Sequence, residues 1–361
     1  MNTMNKKLLL GKIILCPLLI SGCVTNQEST QETGEIIWYI AERPVPVPED
    51  ISTGLRDYIT NTVQPDVKAA SQFKPGTIME WRDKKNSANA RRIGKARELM
   101  KALPVNVTLS QINGVTVRYV VPHEIDERHK NHLFVEIHGG AFLVNGGDAS
   151  ILESMLIATR LKITVVSIDY RTLPEFPFPA ALNDVVSVYR GLLTERPAYS
   201  MILGGTSAGG NLAIASLLKF KELGIPFPGA LYLGTPWSDL TKTGDTQYTN
   251  EGLDRLLVGN KGLLSEAAAL YAGTTNLLTP FISPVYGQYE NFPPTYLVTG
   301  TRDLLLSDTA RVHRKLRQAS VMAELNVYEG MSHADYMYAT DTPESRQVYA
   351  ELNDFLLRHM Q

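Results

Sequence analysis

The chain has 361 residues, of which 44% are hydrophobic and 20% charged, with 35 Lys and Arg against 37 Asp and Glu. This composition is typical of a globular enzyme and excludes a disordered or collagen-like chain. The formal net charge of −2 gives no electrostatic reason to expect nucleic acid as a partner. No apolar run reaches the ~20 residues of a membrane-spanning helix, and the length suits one large α/β domain or two small domains.

Residues 1–22 have the pattern of a bacterial export signal. Three lysines flank the N-terminal side of a short apolar core, residues 13–20. Such a core is too short to cross ~30 Å of hydrocarbon, but it suffices for a signal peptide. Residues 20–23, Ile-Ser-Gly-Cys, resemble the lipobox of bacterial lipoproteins, in which Cys23 becomes the lipidated first residue. An ordinary secretory signal or a coincidental cysteine is the alternative.

Residues 23–50 are predicted to form a tether and a Pro-rich linker. Residues 24–34 are polar, and residues 43–48 contain three prolines and should run extended. Cys16 would leave with the signal, so Cys23 would be the only thiol of the mature chain and no internal disulfide could form. The lipid anchor predicts attachment to a membrane of the bacterial cell envelope. Because Asp does not follow Cys23, the outer membrane is favoured if two membranes are present.

Residues 51–103 contain few strand signals and are predicted to form helices. Ser52 and Thr53 can cap a first helix, and a second helix is predicted over Asn86–Leu103. The second helix is basic. We interpret its basic side as a solvated helix face, with contact to a membrane surface as the alternative.

From residue 104 onward, short apolar runs alternate with helical segments. Several of the runs are almost continuously apolar, as is typical of parallel strands that are buried on both faces. This alternation predicts an α/β fold with a mostly parallel, doubly wound sheet of eight strands. The predicted strands are Val105–Ile112, Val115–Val121, His132–Ile137, Ile163–Ile168, Met201–Gly204, Ala230–Gly234, Thr295–Thr299 and Ala323–Tyr328.

The strongest functional motif is Gly-Thr-Ser-Ala-Gly at residues 205–209. An apolar run, residues 201–204, leads into it, and an apolar helix follows. This context is typical of a nucleophile elbow, which exposes a serine hydroxyl on a sharp, strained turn. Gly205 and Gly209 fit because such a turn leaves no room for side chains at these two positions. We therefore predict that Ser207 is a catalytic nucleophile, with a purely structural turn as the alternative.

A serine hydroxyl needs a general base, and the chain contains seven histidines. His333 follows the last predicted strand in a Gly-containing loop, which is where a fold of this type delivers its base. The other six histidines lie in polar stretches, on a charged helix, near the C-terminus or in a glycine motif. We predict that His333 is the base, with an exposed loop histidine as the alternative.

A carboxylate must orient the base and stabilise its imidazolium form. Asp303 follows an apolar strand in a loop and is the predicted acid. Its rival, Asp308, is predicted instead to cap a helix over residues 309–319 together with the serine before it. The order Ser207, Asp303, His333 is that of the α/β hydrolases and differs from that of the chymotrypsin and subtilisin types.

A glycine motif, His138-Gly139-Gly140-Ala141, follows the third predicted strand. Acyl transfer requires hydrogen-bond donors that are directed at the developing oxyanion. We predict that the backbone N–H groups of Gly140 and Ala141 supply them on one side and that of Ala208 on the other. His138 is predicted to brace this loop through hydrogen bonds rather than to take part in the chemistry.

The ordered combination of these motifs resembles the bacterial hormone-sensitive-lipase-like esterases of the α/β-hydrolase fold. Two positions depart from the family pattern: Ala141 stands where a third Gly is usual, and Thr206 stands where Asp is usual. An alanine retains its N–H, so the predicted oxyanion site survives the first change. The resemblance covers roughly Ile51–His359, and it is carried by residues 138–141, 169–171, 177–180 and 205–210, Asp303 and His333. Residues 236–241 and 300–308 are most similar to the branch that contains short-chain carboxylesterases and ε-lactone hydrolases.

The resemblance also implies a helical cap over the active site. Residues 51–103 would form the N-terminal part of the cap. Residues 104–361 would form the catalytic domain, and an insertion in it near residues 243–271 would form the rest of the cap. Four residues are candidates for the acyl and alcohol pockets, with core packing as the alternative for each: Phe142, Tyr170, Trp237 and Leu305.

These observations predict a serine hydrolase that cleaves carboxylic esters through an acyl-enzyme, with short-chain acyl esters or lactones as substrates. Water is the expected second nucleophile, and no cofactor is expected. A metal site is not expected either, because no His, Asp or Glu cluster has ligand spacing. Two alternatives stay open, namely an amidase or peptidase with the same triad and a catalytically inactive binding module of the envelope. The oligomeric state is not indicated by the sequence.

Overall fold

The computed structural model of the protein describes residues 43–360. The predicted export signal and Cys23 lie outside the described residues, as does most of the predicted tether. Within residues 43–360, no helix is both long enough and apolar enough to cross a membrane.

A single eight-stranded sheet forms the centre of the fold. Its strand order is β1-β2-β4-β3-β5-β6-β7-β8, with β2 antiparallel to both of its neighbours and all other pairs parallel. The strands are β1 (Val105–Ile112), β2 (Val115–Pro122), β3 (Leu133–Ile137), β4 (Val165–Ile168), β5 (Met201–Thr206), β6 (Ala230–Gly234), β7 (Thr295–Gly300) and β8 (Ala323–Tyr328). The prediction of eight strands in a mostly parallel sheet is confirmed.

Helices cover both faces of the sheet, which explains why its central strands are almost continuously apolar. On β3, for example, Phe134 belongs to one cluster of buried apolar side chains and Val135 to the other. The α-helices are α1 (Thr53–Asn61), α2 (Val67–Ser71), α3 (Ile78–Ala102), α4 (Leu152–Leu161), α5 (Ala180–Leu192), α6 (Ala208–Leu223), α7 (Thr246–Thr249), α8 (Leu263–Ala272), α9 (Leu306–Gln318), α10 (Asp335–Tyr338) and α11 (Pro343–His359). Helices α5, α6, α8 and α9 pack into the first cluster, and α1, α4 and α11 pack into the second.

Two helix starts differ in how well they were predicted. The side chain of Ser52 accepts a hydrogen bond from the N–H of Leu55 and caps α1, as expected. Helix α3 begins at Ile78 instead of Asn86, because Thr77 and Glu80 form a capping box that bonds both of their backbone N–H groups. This signal, a threonine three residues before a glutamate, was present in the sequence.

The prediction that Asp308 caps a helix was wrong. Helix α9 begins at Leu306, so Asp308 lies inside the first turn. Its carboxyl group is fully buried and accepts hydrogen bonds from the N–H of Asp239, at 2.9 Å, and from the amide of Gln247, at 3.2 Å. Burial, with the nearby Asp239 charge, raises its pKa to about 8. The side chain therefore joins α9 to the segment after β6 rather than satisfying the helix end.

The parallel strands bring their carboxyl ends to one edge of the sheet. The glycine motif follows β3, Ser207 follows β5, Asp303 follows β7 and His333 follows β8. Ligands of open α/β sheets bind at this edge. All predicted site residues within the described chain therefore lie in one region of the fold.

Candidate active site

Ser207 occupies a strained turn between β5 and α6. Its φ of 62° lies in the left-handed region, which a non-glycine residue seldom adopts. The turn is held by the Ser207 N–H, which donates to the Gly234 carbonyl at 2.8 Å, and by the Ser207 carbonyl, which accepts from the Trp237 N–H at 3.0 Å. This is the geometry of a nucleophile elbow.

The glycines of the elbow are required by close packing against β3. A Cβ atom on either Gly205 or Gly209 would overlap the carbonyl oxygen of Ile137. The two glycines therefore let the turn sit directly on the end of the neighbouring strand.

His333 and Asp303 are hydrogen-bonded to each other in the core. The Nδ1 atom of His333 lies 3.1 Å from Oδ1 of Asp303, and both side chains are buried. The carboxylate is itself held by the N–H of Leu305, at 2.8 Å, and by the hydroxyl of Thr299, at 2.7 Å. Because Asp303 can only accept, Nδ1 of His333 carries the proton and Nε2 is free to act as a base.

Charged neighbours shift the titration of His333. Burial alone lowers the pKa of the ring, but the carboxylate of Asp303 and its hydrogen bond outweigh burial, and Asp254 and Asp335 add to this effect. The pKa of His333 therefore lies above its ordinary value of 6.5. The environment favours the imidazolium form that a general base reaches during proton transfer.

Ser207 and His333 line the same cavity, which has a volume of about 200 Å³. Between these two described side chains, no hydrogen bond joins the hydroxyl to the ring. Long or unaligned contacts are common in unliganded active sites and tighten when substrate binds.

The loop after β3 presents unbonded donors at the same cavity. Gly140 and Ala141 have φ values of 118° and 52°, and both line the cavity beside Ser207. Among the described residues, no acceptor bonds the N–H groups of Gly140, Ala141 or Ala208. Ala208 is the first residue of α6, where the helix dipole also favours negative charge. These three groups can stabilise an oxyanion.

His138 supports this loop from the buried side. Its Nδ1 atom donates to the Gly139 carbonyl at 2.8 Å, and its own carbonyl accepts from the Tyr170 hydroxyl at 2.9 Å. The two rings are stacked, with centroids 4.1 Å apart. Burial lowers the pKa of His138, which keeps the ring neutral. A Cβ atom on Gly139 would lie only 2.7 Å from the carbonyl oxygen of Thr206, so glycine is needed there.

The cavity walls are mainly apolar and come from both segments that were predicted to form a cap. Ala88, Arg91 and Arg92 of α3 lie on one side of the cavity. Residues of the 243–271 segment lie on another side, and these are Leu256, Leu257, Leu263 and Leu264.

The predicted pocket residues do not line this cavity. Phe142 is turned into the core by its φ of 59° and stacks on Tyr271 with ring centroids 3.8 Å apart. All four predicted pocket residues are instead part of the packed core, because their side chains are buried: Phe142, Tyr170, Trp237 and Leu305.

Asp254 is a site residue that the sequence prediction missed. Its Oδ2 atom accepts hydrogen bonds from the N–H groups of Leu304, at 2.8 Å, and His333, at 3.3 Å. The pKa of this carboxyl is raised by burial and by the charge of Asp303. Asn250, from the same segment, donates to the Asp303 carbonyl at 2.9 Å. No local motif marks either residue, because their partners lie some fifty residues or more further along the chain.

A second missed group lies behind the elbow. The hydroxyl of Thr206 donates to Glu153 at 2.7 Å and lies 2.8 Å from the hydroxyl of Tyr336. The hydroxyl of Tyr232 also donates to Glu153, at 2.8 Å. This buried network connects β5, β6, α4 and α10, and it involves the position at which the family usually has Asp. Within residues 43–360, no group of three or more His, Cys, Asp or Glu side chains could hold a metal ion.

Comparisons with known proteins identify the family. The family of proteins with the alpha/beta hydrolase fold matches residues 134–337, which is more than half of the chain. An esterase of Acinetobacter venetianus is 31% identical over 268 residues, which cover 72% of this chain and 85% of that protein.

Two solved structures are similar over most of the chain. The crystal structure of an esterase called E25 has a TM-score of 0.88 and 45% sequence identity, and the match covers 90% of this chain and 99% of that one. An esterase from the bacterial hormone-sensitive lipase family has a TM-score of 0.73 and 27% identity, with coverage of 86% and 99%. The chain therefore belongs to the bacterial hormone-sensitive-lipase-like esterases of the α/β-hydrolase fold and is a carboxylic ester hydrolase.

Proposed function

We propose that this enzyme hydrolyses carboxylic esters through an acyl-enzyme on Ser207, with His333 as general base and Asp303 as the residue that orients it. The observation that carries the proposal is the bond of 3.1 Å between His333 and Asp303 at a cavity that also contains Ser207. The unbonded N–H groups of Gly140, Ala141 and Ala208 support it.

In acylation, Nε2 of His333 takes the hydroxyl proton of Ser207 while Oγ attacks the ester carbonyl carbon. The carbonyl oxygen becomes an oxyanion, which the three N–H groups stabilise. His333 then gives the proton to the leaving alkoxide, the ester C–O bond breaks and the alcohol departs. Water repeats the sequence on the acyl-enzyme and releases the acid, so no cofactor is required.

We propose short-chain acyl esters or lactones as the substrate class. A cavity of about 200 Å³ with leucine walls suits a short apolar acyl chain rather than a long one. A series of p-nitrophenyl esters of increasing chain length, with lactones measured alongside, tests this expectation. A maximum at butyrate or shorter supports it, and a maximum at long chains contradicts it.

The reaction itself is tested with Ser207→Ala and p-nitrophenyl butyrate. We expect a loss in kcat of roughly 10⁴-fold or more, since triad residues act as a unit. Ser216→Ala is a matched control, because Ser216 is also buried on α6 but is far from the reaction. Activity of Ser207→Ala near that of wild type would refute the proposal. The corresponding butyranilide distinguishes an esterase from an amidase, and we expect it to react far more slowly.

We further propose that Cys23 carries a lipid anchor that attaches the enzyme to a membrane of the bacterial cell envelope, the outer one if two are present. The support is the lipobox-like sequence at residues 20–23. Acyl chains contribute about 0.8 kcal/mol per buried CH₂, so several chains hold a protein firmly. Cys23→Ser should release the enzyme from membranes or block its maturation. Absence of label on the wild-type protein after growth with a tagged palmitate would refute the anchor.

A further inference from the structure

A second cavity lies beside the active-site cavity and holds buried polar groups that the reaction does not use. Its volume is about 370 Å³, and we call it the polar cavity. Arg91, Arg92, Gly139 and Asn145 line both cavities. A substrate bound at Ser207 therefore lies next to the polar cavity.

Three ionisable side chains in the wall of the polar cavity are almost completely buried. Glu136, Glu153 and His138 are 0%, 2% and 3% exposed. Each has one atom without a hydrogen-bond partner among the described residues, namely Oε1 of Glu136, Oε2 of Glu153 and Nε2 of His138. These three atoms are closed off from solvent, so these side chains influence the polar cavity through their charge rather than through direct hydrogen bonds to a ligand.

Helix α3 adds positive charge to the same cavity. Arg91, Arg92 and Lys95 line it, and none of them forms an ion pair with a residue of the described chain. Arg97, on the same helix, pairs with Asp148 at 3.2 Å. The cations at the polar cavity are thus available for an anionic group.

The buried acids do not cancel this positive charge. Burial raises the pKa of Glu136 well above its usual value, and the neighbouring Glu153 raises it further. Burial also raises the pKa of Glu153, and it lowers the pKa of His138. Burial therefore shifts all three groups towards their neutral forms, which weakens the repulsion between the two carboxyl groups and a bound anion.

We propose that the polar cavity receives the free carboxylate of a half-ester of a dicarboxylic acid. The inference rests on the proposed function, because the ester carbonyl must lie at Ser207. The acyl chain then passes Gly139 and Asn145, and the distal carboxylate meets Arg91 and Arg92. Bidentate contact with a guanidinium is the geometry that a carboxylate prefers.

The test compares three p-nitrophenyl esters with similar acyl length on the wild-type enzyme. They are mono-p-nitrophenyl adipate, which is anionic, p-nitrophenyl hexanoate, which is neutral, and p-nitrophenyl ε-aminocaproate, which is cationic. We expect the anionic ester to have the largest kcat/KM and the cationic ester the smallest. Equal values for the anionic and neutral esters, or preference for the cationic ester, would overturn the inference.

Variants of α3 locate the effect. Arg91→Gln or Arg92→Gln should lower the ratio of kcat/KM for the adipate to that for the hexanoate by about ten-fold, as expected for one lost charge-assisted hydrogen bond. Arg97→Gln is the matched control and should leave the ratio unchanged, because its charge is already paired with Asp148. A ratio that no arginine variant at the cavity alters would overturn the assignment.

The two proposals fail differently. If none of the three esters is cleaved in a Ser207-dependent way, the proposed function itself is wrong. If the hexanoate is cleaved but the adipate has no advantage, only the role of the polar cavity is wrong.

Discussion

Glu153 accepts a hydrogen bond of 2.7 Å from the hydroxyl of Thr206, the residue that precedes the proposed nucleophile. The family usually has an aspartate at the position of Thr206. In this chain the buried carboxyl group that bonds to this position belongs to Glu153 of α4.

Replacing Thr206 with valine should destabilise the protein. The change keeps the shape of the side chain but removes a buried donor and leaves Glu153 with one hydrogen bond fewer, which costs about 1–3 kcal/mol. Because this hydroxyl does not contact the reacting atoms, kcat/KM should stay within about ten-fold of wild type. Urea unfolding measures the loss in the free energy of unfolding, and steady-state kinetics measures kcat/KM. Ser216→Ala is a suitable control, since the hydroxyl of Ser216 is buried without a partner in the described chain.

Asp303→Asn should reduce kcat by about 10⁴-fold, because an amide at this position no longer selects the correct tautomer of the histidine. Asp308→Asn should leave kcat within about ten-fold, because Asp308 bonds Asp239 and Gln247 instead of His333. Steady-state kinetics with p-nitrophenyl butyrate compares the two variants. If Asp308→Asn were the inactive one, the acid would have been wrongly assigned.

The activity should fall in acid as His333 becomes protonated, since only its neutral ring can accept a proton from Ser207. The pKa of His333 is raised above 6.5, so the midpoint of this fall in kcat/KM should lie above 6.5. In Asp303→Asn the residual activity should have a lower midpoint, because the charge that raises the pKa is gone. Rates measured between about pH 5 and pH 9 test both statements. A profile that is flat across this range would contradict a histidine base.

Gly209→Ala should destabilise the protein, although alanine normally favours a helix. The added Cβ atom would overlap the carbonyl oxygen of Ile137, and such overpacking costs about 1–3 kcal/mol. Gly94→Ala, in the middle of α3, is the control. No atom lies within 4 Å of its new Cβ, so the propensity gain of about 1 kcal/mol should remain. Opposite signs of the two changes in the free energy of unfolding are the expected result.

The sheet and the elbow were predictable because their signals are local. The central strands are buried on both faces and read as nearly continuous apolar runs, and all eight strands were predicted with ends within two residues of those observed. Ser207 was identifiable because Gly205 and Gly209 are imposed by close packing on β3. The glycine motif and the loop positions of Asp303 and His333 followed from the order of the strands.

The remaining site features depend on contacts that no short motif encodes. Phe142 follows a glycine motif and was expected at the pocket, but three successive residues with positive φ, residues 140–142, turn its ring into the core. Glu153 was not identified because its hydrogen-bond partners, Thr206 and Tyr232, lie on two other elements more than fifty residues further along the chain. Sequence alone could not show which backbone N–H groups or side-chain hydroxyls each buried carboxyl group bonds.

Asp254 couples acyl-chain selectivity to turnover rate, two properties that enzyme engineers usually treat separately. One oxygen of its carboxyl group bonds the N–H groups of Leu256 and Leu257, and the other bonds those of Leu304 and His333. Leu256 and Leu257 form part of the pocket wall, and His333 is the proposed base. A loop graft from a relative, made to change which acyl chain fits, would therefore also exchange a support of the proton-transfer machinery. In this scaffold, selectivity and turnover rate are not independent modules, and laboratory evolution of the segment around Asp254 will alter both together.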